Sequence, residues 1–149
     1  MPGGNIWGDK MNFKDCIQKG LLRISTPDRI LSKSLLLTSK NDLVFLNKLD
    51  INENSSRKIM SNYYDVLRSI LEAIASIDGF KIYSHEAFTY FLKEKNEVSI
   101  SLKFDRFRKI RNSINYYGKD ISVEETKENI VEIKEIIKTL IDKYLQGLK

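Results

Sequence analysis

A chain of 149 residues, 42% hydrophobic and 30% charged, can bury one sizeable core, so a single globular domain is the default. A net charge of +5 permits a polyanionic partner without requiring one, and a lone cysteine, Cys16, excludes an internal disulfide and a cysteine metal cluster. No run is long enough to span a bilayer and residues 1–10 lack the apolar core of a signal peptide, so the expected location is cytoplasmic.

The chain divides into a flexible leader, 1–12, and a single domain, 13–149. Gly3, Gly4 and Gly8 loosen the leader, and Trp7 can dock on the body or on a partner subunit. A first helix is expected from Phe13, capped by Asn12, with Phe13, Ile17, Leu21 and Ile24 as its apolar stripe. Cys16 on it reads as a buried helical thiol before it reads as a nucleophile. Thr26 followed by Pro27 predicts the start of a second helix, which buries Ile30, Leu31, Leu35 and Leu37. Polar residues 39–42 interrupt that pattern, and 43–49 either continues the helix or begins a new one.

After a polar linker over 50–56, Ser55 or Ser56 caps the strongest helix. Ile59, Tyr63, Val66, Ile70, Ile74 and Ile77 follow a three-four spacing, and Met60, Tyr64, Leu67 and Leu71 widen the stripe. An apolar face that broad belongs to a central helix, which ends at Asp78-Gly79. Residues 80–83 read as a connector. Ser84 caps the next helix, with Ala87, Phe88, Tyr90, Phe91 and Leu92 on it and an end over 94–98. Last, Ser122 caps a long helix with Glu124, Glu125 and Glu128 near its positive end and a seam of Ile130, Ile133, Ile137, Leu140, Tyr144 and Leu148. Six helical segments and no convincing alternating strand predict an all-α antiparallel up-and-down bundle of four to five main helices plus a short one.

The chemistry concentrates in residues 103–119, KFDRFRKIRNSINYYGK, before a stop at Gly118. Lys103, Arg106, Arg108, Lys109, Arg111 and Lys119 face one anion, Asp105. Phe104, Phe107, Ile110, Ile114 and Tyr117 form an apolar stripe, while Arg108, Arg111, Asn112, Asn115 and Tyr116 share a neighbouring arc. Guanidinium forks beside amides and a phenol suit phosphate. The plainer reading is a solvated helix face, and chemistry alone favours it. Tyr116 lies off the stripe and is the best candidate for an exposed polar role; the two Phe and Tyr117 suit the core. No metal cluster, carboxylate dyad, phosphate-cradling glycine loop or serine–base pair is expected, and no cofactor. His85, the only histidine, reads as an exposed or satisfied residue at a helix start, since catalytic work would need it placed beside Arg111.

Three features in this order resemble the HEPN superfamily of small helical domains from prokaryotic toxin–antitoxin and related systems: SNYYDVLRSILEAIASIDGF on the central helix, SHEAFTYFL after it, and IRNSINYYG on the penultimate helix. The likeness covers about residues 26–119. Its signature is an Arg, usually followed by a polar residue, and then a His at the position corresponding here to 116, 117 or 118. Arg111 and Asn112 match the first half; Tyr116, Tyr117 and Gly118 stand where the His should be. The resemblance implies a homodimer in which two signature helices meet, and metal-independent RNA cleavage in active members, with Arg111 stabilising charge on the phosphorane. Tyr116 is a poor substitute for the histidine, because an unperturbed phenol titrates at about 10. The resemblance further implies a setting in toxin–antitoxin or stress response and a nucleotidyltransferase-type partner.

Two functions are therefore carried forward. One is binding of RNA or a nucleotide phosphate at a dimer cleft, with Arg111, Asn112 and Tyr116 as the degenerate catalytic set and Arg108, Arg111, Asn115 and Lys119 as phosphate ligands. The other is a non-catalytic dimerisation or protein-interaction module, in which Arg111 would be locked to an acid such as Glu94 or Glu97.

Overall fold

The computed structural model describes residues 11–148. The leader beyond Met11, including Trp7, lies outside the described residues. Six α-helices are present among them: α1 (Phe13–Gln18), α2 (Arg29–Leu46), α3 (Ser56–Asp78), α4 (His85–Glu94), α5 (Val98–Tyr117) and α6 (Val123–Tyr144), with a 3₁₀ turn at Gln146–Leu148. They form an all-α bundle around α3, which packs against α2, α4, α5 and α6.

The breadth of the α3 stripe explains its central place. Ile59, Met60, Tyr63, Tyr64, Val66, Leu67, Ile70, Leu71 and Ile74 are all buried in one continuous core. Phe88, Phe91, Phe104 and Phe107 enter it from α4 and α5, and Ile130, Ile133, Ile137 and Leu140 from α6. Small residues let α2 approach closely: Ser32, fully buried, donates its hydroxyl to the Ala73 carbonyl at 2.6 Å. Helix ends follow their caps. Ser122 accepts from the Glu125 amide at 3.0 Å, and Gly79 and Gly118 close α3 and α5 in the left-handed conformation.

Five local expectations are corrected. The first helix ends at Gln18; Gly20, at φ +75°, turns the chain, and Leu22–Ile24 becomes a strand, β1, in place of a helical stripe through Leu21 and Ile24. Its antiparallel partner is β2 (Phe80–Ile82), within the segment read as a connector, in the register Leu22↔Ile82, Arg23↔Lys81, Ile24↔Phe80. Strand pairing satisfies backbone groups that a longer first helix would have satisfied internally.

Helix α2 is capped by Asp28, whose carboxylate accepts from the Leu31 amide at 2.9 Å, and not by Thr26. The Asp28 amide is held by the Ser76 carbonyl, which delays the helix past Pro27. The helix runs unbroken through 39–42 to Leu46, so 43–46 continues it. Its buried side is Ser32, Leu36, Ser39 and Leu46, while Ile30, Leu31 and Leu37 point outward. Finally, Tyr117 is not a core residue: it is 77% exposed at the end of α5.

Candidate functional site

Tyr64 is the centre of the site. On α3, it is buried, its ring stacked on Phe104 of α5 at 5.4 Å and on His85 of α4 at 5.8 Å. Its hydroxyl is hydrogen-bonded to His85 Nδ1 at 3.0 Å. The Arg111 guanidinium lies 5.8 Å from the centre of the same ring. Residues 64, 85 and 111, from three helices, therefore meet on one phenol.

Two further arginines flank this junction. Arg68 follows Tyr64 by one helical turn and donates to Glu72 at 3.1 Å, while its Nε is buried with no hydrogen-bond partner. Arg111 is in the same condition. Its Nε is buried and unpartnered, and its Nη2 lies 3.5 Å from Asp65 Oδ1, itself buried and without a hydrogen bond. That contact is an ion pair at long range and falls short of a hydrogen bond. Arg111 is 20% exposed at its side chain. It is thus locked to neither Glu94 nor Glu97. Glu97 is occupied by Lys143 at 2.7 Å and by the Tyr144 hydroxyl, in a link between the α4–α5 junction and α6.

Arg108 is differently placed. Its Nε and Nη2 both donate to Asp105 Oδ1, at 3.0 and 2.7 Å, and Lys109 meets the other carboxylate oxygen at 3.1 Å. Burial works to raise the Asp105 pKa, but the bonds from Arg108 and Lys109 and their charges outweigh it and hold the carboxyl below its ordinary value. Arg108 therefore adds positive potential near Tyr64 while its donor fork is committed.

The same field shapes the two neutral groups. Burial lifts the Tyr64 phenol far above its ordinary range, against the opposing charges of Arg108, Arg111 and Arg68. Burial also lowers the His85 pKa, and Arg68 and Arg111 lower it further, with Asp65 opposing. At neutral pH the pair is uncharged among three guanidiniums.

Next to this cluster runs a groove between α3 and α5, of about 340 Å³, lined by Arg57, Lys58, Ser61, Asn62, Asp65, Ile114 and Asn115. The Asn115 side-chain oxygen accepts from Ser61 at 3.3 Å across it. Asn62 and Asp65 also line a recess of about 310 Å³ between α3 and α2, where Phe45 is exposed. The polar face of α3 is therefore the floor of both recesses, with Arg57 and Lys58 lining the one toward α5.

Of the residues singled out in the sequence, the structure gathers Arg108, Arg111 and Asn115 along this side. Asn112 is half-buried and does not orient Arg111; Tyr64 and Asp65 do. Tyr116 is 71% exposed and lies about 140° round the helix from Arg111, so it does not face the cluster. Lys119 follows the α5 cap, exposed, its backbone amide bonded to the Ser113 carbonyl. Tyr64, Asp65 and Arg68 were absent from the expected site. Arg68 had a readable signal, a cation inside the apolar run four residues after Tyr64. His85 sits at the first position of α4, as a helix-start residue should, yet also against the cluster.

Among the described residues no group of three or more His, Cys, Asp or Glu is arranged to hold a metal, and no helix is long and apolar enough to cross a membrane. Cys16 is buried, and burial, then Glu86 and Asp15, raise its pKa, which leaves the thiol poorly suited to nucleophilic work. Fold and site define a small helical bundle with a polar groove beside a cluster of three arginines around Tyr64 and His85. No protein-family model matches the chain, and comparisons with curated proteins and with solved structures likewise find no match.

Proposed function

We propose that the protein is a HEPN-like domain that binds RNA or a nucleotide phosphate through Arg111 and Arg68. The observation that carries this reading is the pair of buried Nε–H donors on those two arginines that have no hydrogen-bond partner, with the Asp65 oxygen meeting Arg111 only at 3.5 Å. Buried donors without partners are costly, and an arriving phosphate that draws the side chains outward would satisfy them. Arg57 and Lys58, exposed along the groove, would hold a neighbouring phosphate, and Asn115 would complete the polar wall. In this reading two copies meet along α5, a nucleotidyltransferase-type protein is the partner, and the setting is toxin–antitoxin or stress response in the cytoplasm of a prokaryote. Metal-independent cleavage would use Arg111 to stabilise phosphorane charge.

Fluorescence anisotropy with a labelled RNA at low salt tests the reading. Arg111→Gln should weaken binding about tenfold or more, the worth of one charged hydrogen-bond donor, while Lys138→Gln on α6 should leave it nearly unchanged. Absence of RNA affinity in the wild type at low salt would refute it.

One observation favours a second reading, a self-associating module with no nucleic acid. Helix α2 exposes Ile30 (85%), Leu37 (53%) and Val44 (57%) at seven-residue spacing, with Phe45 beside them. Heptad spacing suits a second copy of the same helix. Sedimentation of Leu37→Lys decides it: a dimer that becomes a monomer supports this seam, and a wild-type monomer removes it.

A further inference from the structure

We propose that His85 makes the Arg68–Arg111 site proton-coupled: a phosphodiester anion bound between the two arginines is held with uptake of one proton by the His85 imidazole. The proposal rests on the phosphate-binding reading above and adds to it a residue that lies outside the signature helix.

Geometry places the imidazole within the cluster. His85 stacks on the Tyr64 ring, which the Arg111 guanidinium also meets, and Nδ1 shares a hydrogen bond with the Tyr64 hydroxyl. A hydroxyl both donates and accepts, so this bond survives protonation: the imidazolium Nδ1–H donates and the phenol oxygen accepts. The charges that act on the ring come from two neighbouring helices. Helix α3 brings Asp65 and Arg68, and α5 brings Arg108 and Arg111. Glu72 and Asp105 are engaged by Arg68 and Arg108 respectively. On α4 itself, Glu86 acts on Cys16 and Tyr90.

With the site empty, a proton on His85 would be a fourth cation beside three guanidiniums, in a partly buried position. A phosphodiester seated on Arg68 and Arg111 brings one negative charge, and a sulfate two, against those cations, and either attracts the imidazolium directly. The complex then holds one proton more than its separated parts. Linkage fixes the sign: affinity rises as pH falls through the interval between the bound and free His85 pKa values, and levels off below the free one. His85 thus acts as a ligand whose charge is present when the anion is.

Sulfate is the simplest probe, because its own charge does not change between about pH 5 and 8, where histidine titrates. A 5′-hydroxyl RNA oligonucleotide is the second probe. Wild-type affinity for both should increase as pH is lowered, by up to about tenfold per pH unit for one linked proton. His85→Gln, which keeps a polar partner for Tyr64, should bind with a flat profile. The His85 ring signals in NMR should titrate at higher pH with sulfate present than without. A wild-type profile as flat as that of His85→Gln, or a slope that persists in His85→Gln, would overturn the proton coupling while leaving phosphate binding intact. Failure of both probes to bind at any pH would overturn the phosphate reading as well. A melting curve matching wild type for His85→Gln guards against a folding defect.

Discussion

At the scale of single residues, the site turns on which donors are already spent. Arg108 gives two bonds to Asp105, so it contributes potential and no free fork, whereas Arg68 and Arg111 each keep a buried N–H without a partner. Tyr116 stood where a signature histidine would fall, yet it faces solvent well round the helix from Arg111. Tyr116→His should therefore fail to create RNA cleavage; a cleavage assay in chelator that showed new activity would mean the cluster is reached from that side. Glu97 offers a different residue-scale prediction. Burial favours its neutral form, but bonds from Lys143 and Tyr144 prevail and its pKa is lowered. A carboxylate with a depressed folded pKa stabilises the protein above its unfolded value, about 4.3, and loses that contribution as pH falls through the folded one. Glu97→Gln should cost about 1–3 kcal/mol at neutral pH, mostly through the bond to Tyr144, since the Lys143 end is exposed. Thermal melts of the two proteins should draw together as pH falls through the lowered Glu97 value and converge below it.

Among the elements, the two left-handed glycines give a paired prediction. Gly118 has open space around it, but a Cβ on Gly79 would lie 2.9 Å from the Ser25 carbonyl oxygen, where α3 hands over to β2. Gly118→Ala should cost about 1 kcal/mol for backbone strain alone, and Gly79→Ala about 2–3 kcal/mol or more, as read by urea unfolding. Equal costs would mean that the Ser25–Gly79 contact yields freely. Elements also show where sequence was readable. The wide stripe of α3, its glycine stop and the Ser122 cap could all be read because local chemistry and tertiary burial agree there. The ribbon could not, since Leu22–Ile24 continues a helical spacing by chance and its pairing partner lies nearly sixty residues on. The outer face of α2 misled for a related reason: Ile30, Leu31 and Leu37 are apolar, but the small Ser32 and Ser39 are what α3 needs for close approach.

For the whole molecule, the bundle matters to function because it brings α3, α4 and α5 together on Tyr64. A motif confined to one helix could be seen in the chain, and Arg111 was. A site assembled from residues 64, 68, 85 and 111 has no signature in linear order, which is why His85 looked incidental. The direct test of an anion held by Arg68 and Arg111 is a proton–nitrogen correlation spectrum of the arginine side chains, recorded while a short RNA is added at low salt. The account predicts that the Arg68 and Arg111 Nε–H signals move together and saturably, with Arg108 shifting less. RNA binding that leaves both signals in place, or no binding at all, would contradict it.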